Sequence, residues 1–392
     1  MSFKILIIIT RPFDPNAGGV QRSTYKISSY LKQNGYDTHV YSTYKEGHPP
    51  QDVAKLHTAL EPGGNANKEN FKRLEHIIKE LKPDIVLNQM PYEITLGKIL
   101  KKAQKKTGFF LVGCLRNTLY PVKLNIDKYL NEVVPKSLHP LVNNSTGERI
   151  LQKTHKVRHT KSLKFILNTY DYFIMFGPPN LEELKYFVGN YKLHKTYFIP
   201  NSVLNIQEKL PKKEKRILWL SRLGYKQKRA DLILPFWKLI CEKLPEWQLD
   251  IVGDGNAFRD LKKQIKADNI PRVNMYGRQV PYEYYKRASI YIMTSAFEGF
   301  PNTLIEAQSF ACAPVVFDSY PICSWVVKNG KSGILIPPFD VEKMASEVEL
   351  LANDNNKLSL LMNNALENAK EFELQKVGKL WVNFFNSKIE KK

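Results

Sequence analysis

Short apolar, β-prone segments alternate with longer amphipathic segments along almost the whole chain, and this series runs twice. The first series opens with KILIIIT at 4–10 and includes DIVLNQ at 84–89 and FFLVGCL at 109–115. The second opens with RILWLSR at 216–222. Such alternation is typical of parallel sheets covered by helices, so the sequence predicts an α/β protein with two Rossmann-like domains.

The 392 residues exceed what one hydrophobic core usually organises, which agrees with two domains. A Pro-Asn step breaks the pattern between the two series, and we place the domains at 1–203 and 204–372. Residues 373–392 are predicted to form a C-terminal helix that packs back on the first domain.

Residues 118–167 show no clear strand. Because a long insertion in an α/β domain is more often functional than idle, this segment is the candidate for acceptor or membrane contact.

The chain is strongly basic, with 59 Lys and Arg against 38 Asp and Glu, and a net charge of +21. This charge predicts attraction to phosphates, nucleic acid or an anionic lipid surface. The basic runs at 98–106 and 153–164 are the candidate surfaces, although each could equally be a solvated face. No apolar run reaches the roughly 20 residues of a membrane-spanning helix, and no secretory signal is recognisable. We therefore expect a cytoplasmic protein, with peripheral attachment at the inner face of the membrane.

In open parallel sheets, ligands bind where the strands end, so the loops after the strands hold the candidate site residues. Gly18 and Gly19 follow the first strand and precede a helix, which suits close approach to a phosphate or sugar. A plain turn is the alternative. Arg222 and Lys228 follow the first strand of the second series, and two cations there suit a pyrophosphate. The alternative is that Arg222 and Lys228 are ordinary surface charges without a ligand.

The segment EGFPNTLIE carries the strongest signal, because two glutamates lie on either side of a predicted helix start. Asn302 or Thr303 is predicted as the N-cap, and the free amides of that first turn can hold a phosphate. Glu298 lies in the loop, and Glu306 lies about one turn into the helix. A carboxylate there can accept both hydroxyl protons of a ribose. The alternative is a capping box, in which Glu306 only binds the amides of its own helix.

These motifs together resemble the GT-B-fold retaining glycosyltransferases of family 4, and the resemblance covers nearly the whole chain. The segment 298–306 matches the E-x7-E motif of that family. Arg222 and Lys228 match its donor-binding Arg and Lys, and Gly18 and Gly19 match its amino-terminal glycine loop. The resemblance implies two facing domains with a deep inter-domain cleft, in which the second domain binds most of the nucleotide-sugar donor.

The resemblance also implies a role for each site residue. Glu298 would contact hydroxyls of the donor sugar, and Glu306 would bind the ribose. Arg222 and Lys228 would neutralise the diphosphate leaving group. Six further residues would line the donor site, four through backbone contacts and the last two beside the base: Gly299, Phe300, Asn302, Thr303, Arg278 and Val280.

The activity implied is that of a hexosyltransferase, which moves a sugar from a UDP- or GDP-sugar to a glycan or lipid-linked saccharide in cell-surface polysaccharide biosynthesis. Two cations and helix amides can replace a metal, and the sequence contains no Asp-x-Asp, so neither a metal nor another cofactor is expected. The expected partners are the donor, the acceptor and an anionic membrane surface, but not nucleic acid.

One departure from the family leaves the anomeric outcome open. Arg116 or Asn117 occupies the position at which such enzymes commonly carry a histidine. Two alternative functions also remain at this point. A nucleotide-sugar 2-epimerase shares the architecture, but the E-x7-E spacing argues against it. A nucleic-acid-binding protein would fit the charge, but no RNA-binding signature accompanies it.

Overall fold

The computed structural model describes residues 3–16, 18–44, 54–59, 67–121, 144–204, 206 and 212–389. The chain divides into two compact units, each with its own parallel sheet. The first unit comprises Met1–Leu119, Lys153–Ser202 and Leu374–Lys392, and the second comprises Tyr120–Gln152 and Val203–Glu373. The described residues 120–121 and 144–152 thus group with the second unit, whereas the sequence predicts that they belong to the domain 1–203.

The first unit is built on a seven-stranded parallel sheet, in the order β3-β2-β1-β4-β5-β6-β7. Its strands are β1 Lys4–Ile9, β2 Asp37–Ser42, β3 Lys55–Thr58, β4 Ile85–Asn88, β5 Phe110–Cys114, β6 Tyr172–Met175 and β7 Thr196–Phe198. β1 lies inside the sheet, with Ile5 opposite Thr38 on one side and Ile85 on the other. Its isoleucines are buried because helices cover both faces, which explains why β1 reads as a continuous apolar run.

In the described part of the chain, five helices connect these strands. They are α1 Gly19–Gln33, α2 Lys68–Leu81, α3 Ile94–Thr107, α4 Ser145–Thr169 and α5 Pro179–Val188. The sequence pattern did not predict α4, whose 25 residues bury side chains only near its end, at Leu163, Ile166, Leu167 and Thr169. Its earlier turns are basic and exposed, so the helical periodicity is weak there. Residues 122–143 of the predicted insertion lie outside the described residues.

The second unit contains a six-stranded parallel sheet, in the order β10-β9-β8-β11-β12-β13. Its strands are β8 Glu214–Leu220, β9 Gln248–Val252, β10 Val273–Gly277, β11 Ala288–Met293, β12 Ala313–Phe317 and β13 Ile334–Ile336. Its helices are α6 Ile233–Ile240, α7 Phe258–Ala267, α8 Tyr282–Arg287, α9 Asn302–Ser309, α10 Cys323–Val326, α11 Val341–Ala352 and α12 Asn355–Ala369. β8 and β11 are neighbours although 67 residues separate β8 from β11. This crossover brings the two loops with the strongest motifs side by side.

The chain ends with helix α13, Leu374–Ile389, which packs into the core of the first unit. Its side chains Val377, Trp381 and Phe385 are at most 2% exposed. Gly378 allows a close approach to α1, because a Cβ there would lie 2.4 Å from the ring of Tyr30. Among the described residues, no helix is long and apolar enough to cross a membrane.

Candidate active site

The loops after β8 and β11 are bound to each other by backbone and side-chain hydrogen bonds. The amide of Ala296 donates to the carbonyl of Gln227 at 2.8 Å. The hydroxyl of Thr294 donates to the carbonyl of Lys228 at 2.7 Å, and in turn accepts from the Trp219 indole at 2.9 Å. Both loops lie at the carboxyl end of the sheet, where ligands of such sheets bind.

Lys228 and Glu298 form a largely buried ion pair across these loops. The Lys228 ammonium donates to Oε1 of Glu298, and the two side chains are only 14% and 8% exposed. Gln227 Nε2 donates to the other carboxylate oxygen at 3.1 Å. From the sequence, Lys228 was expected to bind the diphosphate and Glu298 the donor sugar, and the pairing of the two side chains was not predicted. A carboxylate offers about four lone-pair positions, so Glu298 keeps acceptor capacity for hydroxyls.

Arg222 has a different environment, although it lies in the same loop. Its side chain is exposed and makes no hydrogen bond or ion pair with the rest of the described chain. The backbone around it is held tightly, because the Leu223 amide donates to Asp254 and the Ser221 amide donates to Val252. A Cβ on Gly253 would lie 1.8 Å from the Ser221 carbonyl oxygen. The GDGN turn at 253–256 therefore positions the arginine loop.

Helix α9 begins at Asn302, with Pro301 as its N-cap and no side-chain cap hydrogen bond. The prediction that Asn302 or Thr303 is the N-cap was therefore wrong. The Thr303 hydroxyl instead accepts from Tyr291 at 2.9 Å, and burial raises the pKa of Tyr291 well above its ordinary value. The Thr303 amide has no acceptor within the described residues. An uncapped helix start of this kind offers donors and a partial positive charge to an anion.

Glu306 lies one turn into α9 and is 6% exposed. The Tyr285 hydroxyl donates to its Oε2 at 3.3 Å. Since no side chain caps this helix, the capping-box alternative for Thr303 and Glu306 was wrong. The helix after the arginine loop, α6, starts at Ile233, after a 3-10 turn at Ala230–Leu232, so Lys228 lies in the loop and not at a helix start.

Of the remaining predicted residues, four lie in the second unit and two in the first. Gly299 and Phe300 are buried between β11 and α9, and the Phe300 ring lies 5.8 Å from that of Phe372. Arg278 and Val280 follow β10, an edge strand two positions from β8, and Val280 is 71% exposed. The second unit thus brings together the loops that follow β8 and β11.

Gly18 and Gly19 lie in the first unit, after β1. Gly19 is the first residue of α1 and Gly18 its N-cap, without a side-chain cap hydrogen bond. Of the two residues considered for the family histidine position, Asn117 is exposed and Arg116 is partly buried. Arg116 binds the side chains of Gln89 and Asn201.

Comparison with known proteins agrees with this architecture. The family model described as Glycosyltransferase Family 4 matches residues 17–171, and the one described as Glycosyl transferases group 1 matches residues 202–371. An uncharacterized glycosyltransferase of Haemophilus influenzae is 26% identical over 376 residues, which cover 93% of this chain and 96% of that protein. The amylovoran biosynthesis glycosyltransferase AmsD of Erwinia amylovora is 24% identical over 394 residues, 98% of this chain and 100% of AmsD.

Among solved structures, HepE from Anabaena in complex with UDP-glucose has a TM-score of 0.73, covering 98% of this chain and 99% of HepE at 14% identity. At that identity the match shows the shared fold. Each half of the chain matches a glycosyltransferase family model, and two parallel-sheet Rossmann-like units form its fold. The chain therefore belongs to the GT-B-fold glycosyltransferases of family 4.

Proposed function

We propose that this glycosyltransferase moves a hexose from a UDP- or GDP-sugar to a glycan or lipid-linked saccharide, with retention, in the synthesis of a cell-surface polysaccharide. The similar structure of HepE binds UDP-glucose, and the relative AmsD acts in amylovoran biosynthesis. Both support a nucleotide-sugar donor and a polysaccharide product. The residues of the second unit support the donor assignment in more detail.

The observation that carries this proposal is that the loop with Arg222 and Lys228 is bonded to the loop with Glu298, which leads into the uncapped start of α9. As the sugar leaves, negative charge develops on the diphosphate, and fixed cations and amides stabilise that charge. We assign this role to Arg222, Lys228 and the Thr303 amide. Glu298 would accept hydrogen bonds from donor-sugar hydroxyls, while Glu306 would accept from the ribose. Gly299, Phe300, Asn302, Arg278 and Val280 complete the proposed donor site of the second unit. In the first unit, Gly18 and Gly19 are proposed as a loop that allows close approach of a phosphate or sugar.

A nucleotide-release assay tests the activity. The protein is incubated with UDP-, GDP- and ADP-sugars, with and without saccharide acceptors, and released nucleotide and the anomeric form of the product are measured. We expect release from one nucleotide class, acceptor-dependent transfer and a product with the configuration of the donor. Turnover of a nucleotide sugar to its 2-epimer, without transfer, would contradict the proposal.

We propose that the transfer needs no metal, because Arg222, Lys228 and the start of α9 supply the positive charge. Activity should therefore persist in EDTA. Loss of activity in EDTA that Mg²⁺ or Mn²⁺ restores would show that the diphosphate requires a cation that these residues do not replace.

A basic surface of the first unit supports a second proposal, peripheral attachment to the inner face of an anionic membrane. α3 and α4 pack together, since a Cβ on Gly97 of α3 would lie 3.0 Å from the Phe165 ring of α4. The exposed cations of α3 and of the part of α4 from residue 153 onward are Lys98, Lys102, Lys105, Lys106, Lys153, Lys156, Arg158, Lys161 and Lys164. Val157 is 51% exposed among them. Each cation near an anionic surface contributes about 1 kcal/mol of binding.

Vesicle sedimentation tests this attachment. We expect binding to vesicles that contain phosphatidylglycerol, weakening as salt increases, and little binding to phosphatidylcholine alone. Changing Lys156, Arg158 and Lys161 to Gln should weaken binding, whereas changing Lys262, Lys263 and Lys266 of α7 removes three charges from the second unit and serves as a control. Equal sedimentation with neutral and anionic vesicles at low salt would contradict the proposal.

A further inference from the structure

Arg116 lies at the carboxyl end of the first unit's sheet, with side chains from three other strand ends around it. Its Nε donates to Gln89, directly after β4, and its Nη1 donates to Asn201 Oδ1 at 3.2 Å, after β7. The guanidinium carbon lies 5.9 Å from the ring centroid of Phe176, directly after β6. These residues occupy the edge of the sheet where ligands bind in α/β proteins.

The guanidinium has no acidic partner among the described residues. Its hydrogen bonds go to the amide oxygens of Gln89 and Asn201, and the buried Cys114 thiol also lies beside it, with a pKa that burial raises. The buried carboxylate of Glu183, on helix α5, instead accepts from two residues that follow Arg116, the Thr118 hydroxyl at 2.8 Å and the Leu119 amide at 2.6 Å. The buried cation Lys26 of the same unit donates to the Ser202 carbonyl at 2.6 Å, next to Asn201. Within the described residues, no anionic side chain is bonded to the Arg116 guanidinium.

Within the part of the chain that the structure describes, two donors of this cluster are buried without an acceptor. They are Nη2 of Arg116 and Nε2 of Gln89, whose side chains are hydrogen-bonded to each other. A buried donor without a partner costs free energy, and a buried cation without a counter-ion costs more. Such costs persist at functional sites where a ligand satisfies the groups. A planar guanidinium with free N–H groups fits carboxylate or phosphate oxygens.

We infer that Arg116, held by Gln89 and Asn201, binds an oxyanion, a carboxylate or phosphate group, that one of the two substrates carries. This inference rests on the proposed function and makes it more specific, because Arg116 would determine which donor or acceptor is used. The oxyanion could belong to the donor, as the carboxylate of a uronic acid, or to the acceptor, as a lipid-linked phosphate or an acidic sugar.

Two matched pairs of ligands distinguish these sources. UDP-glucuronate and UDP-glucose differ in one carboxylate on the donor sugar. A polyprenyl-diphosphate-linked N-acetylhexosamine and the same sugar on an uncharged alkyl chain differ in the acceptor phosphates. Kd is measured by calorimetry for the wild type, Arg116→Gln and Arg116→Lys, and UDP is measured alongside. Arg73→Gln is the control, because the partly buried Arg73 of the same unit donates to the Thr58 carbonyl at the opposite side of the sheet.

For one of the two ligand pairs, we expect the wild type to bind the anionic member more tightly than the uncharged one. Arg116→Gln should lose about 10- to 100-fold in affinity for that anionic ligand and keep its affinity for the uncharged one. This is the usual scale for a hydrogen bond to a charged group. Arg116→Lys should recover part of the affinity, and Arg73→Gln should keep all of it. If neither anionic member distinguishes the wild type from Arg116→Gln, the inference is overturned and Arg116 has only a structural role. UDP and GDP, measured in the same way, separate the two levels. If neither nucleotide binds either protein, the donor site itself is wrong, whereas normal binding of one nucleotide with unaltered anion preference refutes only the role of Arg116.

Discussion

Lys228 and Arg222 are two cations of one loop that differ in burial and in partners. Lys228 is paired with the buried carboxylate of Glu298, while Arg222 is exposed and makes no such contact with the described residues. Removing one member of a buried ion pair leaves the other charge without compensation, which typically costs 3–5 kcal/mol. We therefore expect Lys228→Met to lower the free energy of unfolding by about 3 kcal/mol, since the pair is not fully buried.

Arg222→Gln should leave the unfolding free energy almost unchanged but lower kcat/KM, with about 2–4 kcal/mol of lost transition-state stabilisation. Thermal unfolding and steady-state kinetics of both variants check this contrast. The double variant Lys228→Met with Glu298→Gln should unfold at a higher temperature than Lys228→Met alone, because no charge is left unpaired. Equal destabilisation by the Lys228 and Arg222 substitutions would show that the ion pair contributes nothing.

The two glutamates should also have separable effects. The ribose does not change during transfer, so Glu306→Gln should chiefly raise KM for the donor, whereas Glu298→Gln should chiefly lower kcat. Tyr285→Phe is the matched control: it removes the hydroxyl that donates to Glu306 but leaves the carboxylate in place. If Tyr285→Phe raises KM as much as Glu306→Gln does, the carboxylate acts through internal packing and the ribose assignment fails.

At the scale of elements, the turn after β9 positions the arginine loop after β8. Gly253 has φ 138° and leaves no room for a Cβ beside the Ser221 carbonyl, so Gly253→Ala must displace the backbone next to Arg222. We expect this variant to lose both stability and kcat/KM. Gly330→Ala is the control, because Gly330 also has a positive φ, 73°, but has open space around its Cα. It should lose about 1 kcal/mol of stability without a kinetic effect.

The packing of α4 on α5 makes the first unit sensitive to pH. The ring of His155 lies 4.1 Å from that of His159 and 6.2 Å from that of Phe187, and burial lowers the pKa of His155 from 6.5 to about 4. The folded state thus disfavours the protonated imidazole. Its contribution to stability is complete above about pH 6.5 and declines as the pH falls towards 4. We expect denaturant unfolding to show this decline and His155→Phe to reduce it. The exposed His194→Phe should leave the pH dependence unchanged.

At the scale of the whole molecule, the chain returns to its first unit after completing the second. Trp381 of α13 is 2% exposed and belongs to the same core as Ile5, Ile7 and Leu87. Trp381→Ala should therefore destabilise the first unit by about 3–5 kcal/mol, although the substitution lies near the end of the chain. Hydrogen exchange should show faster opening of β1 and β4 and unchanged protection of β8 and β11. Leu380→Ala, at a position that is 44% exposed, should leave both units protected.

The sequence by itself determined the α/β class, the two successive series and the loops that carry the candidate residues. The reason is that helix and strand periodicity, glycine pairs and charged strand ends are local patterns, readable over ten to twenty residues. The predicted strands at 4–10, 84–89, 109–115 and 216–222 appear in the structure with ends that differ by one or two residues. Local patterns did not, however, predict every element. The short edge strands β3 and β13 and the exposed turns of α4 bury too few side chains to leave a clear periodicity.

Only the tertiary structure decided which of the candidate residues meet. The Lys228–Glu298 pair joins residues 70 positions apart, and it exists because the strand order places β8 beside β11. The same holds for Arg116 with Asn201, which depends on the order of β5, β6 and β7. A charged residue looks the same in a sequence whether it is solvated, paired or buried without a counter-ion. Its chemistry depends on burial and partners, which arise only when distant segments pack together.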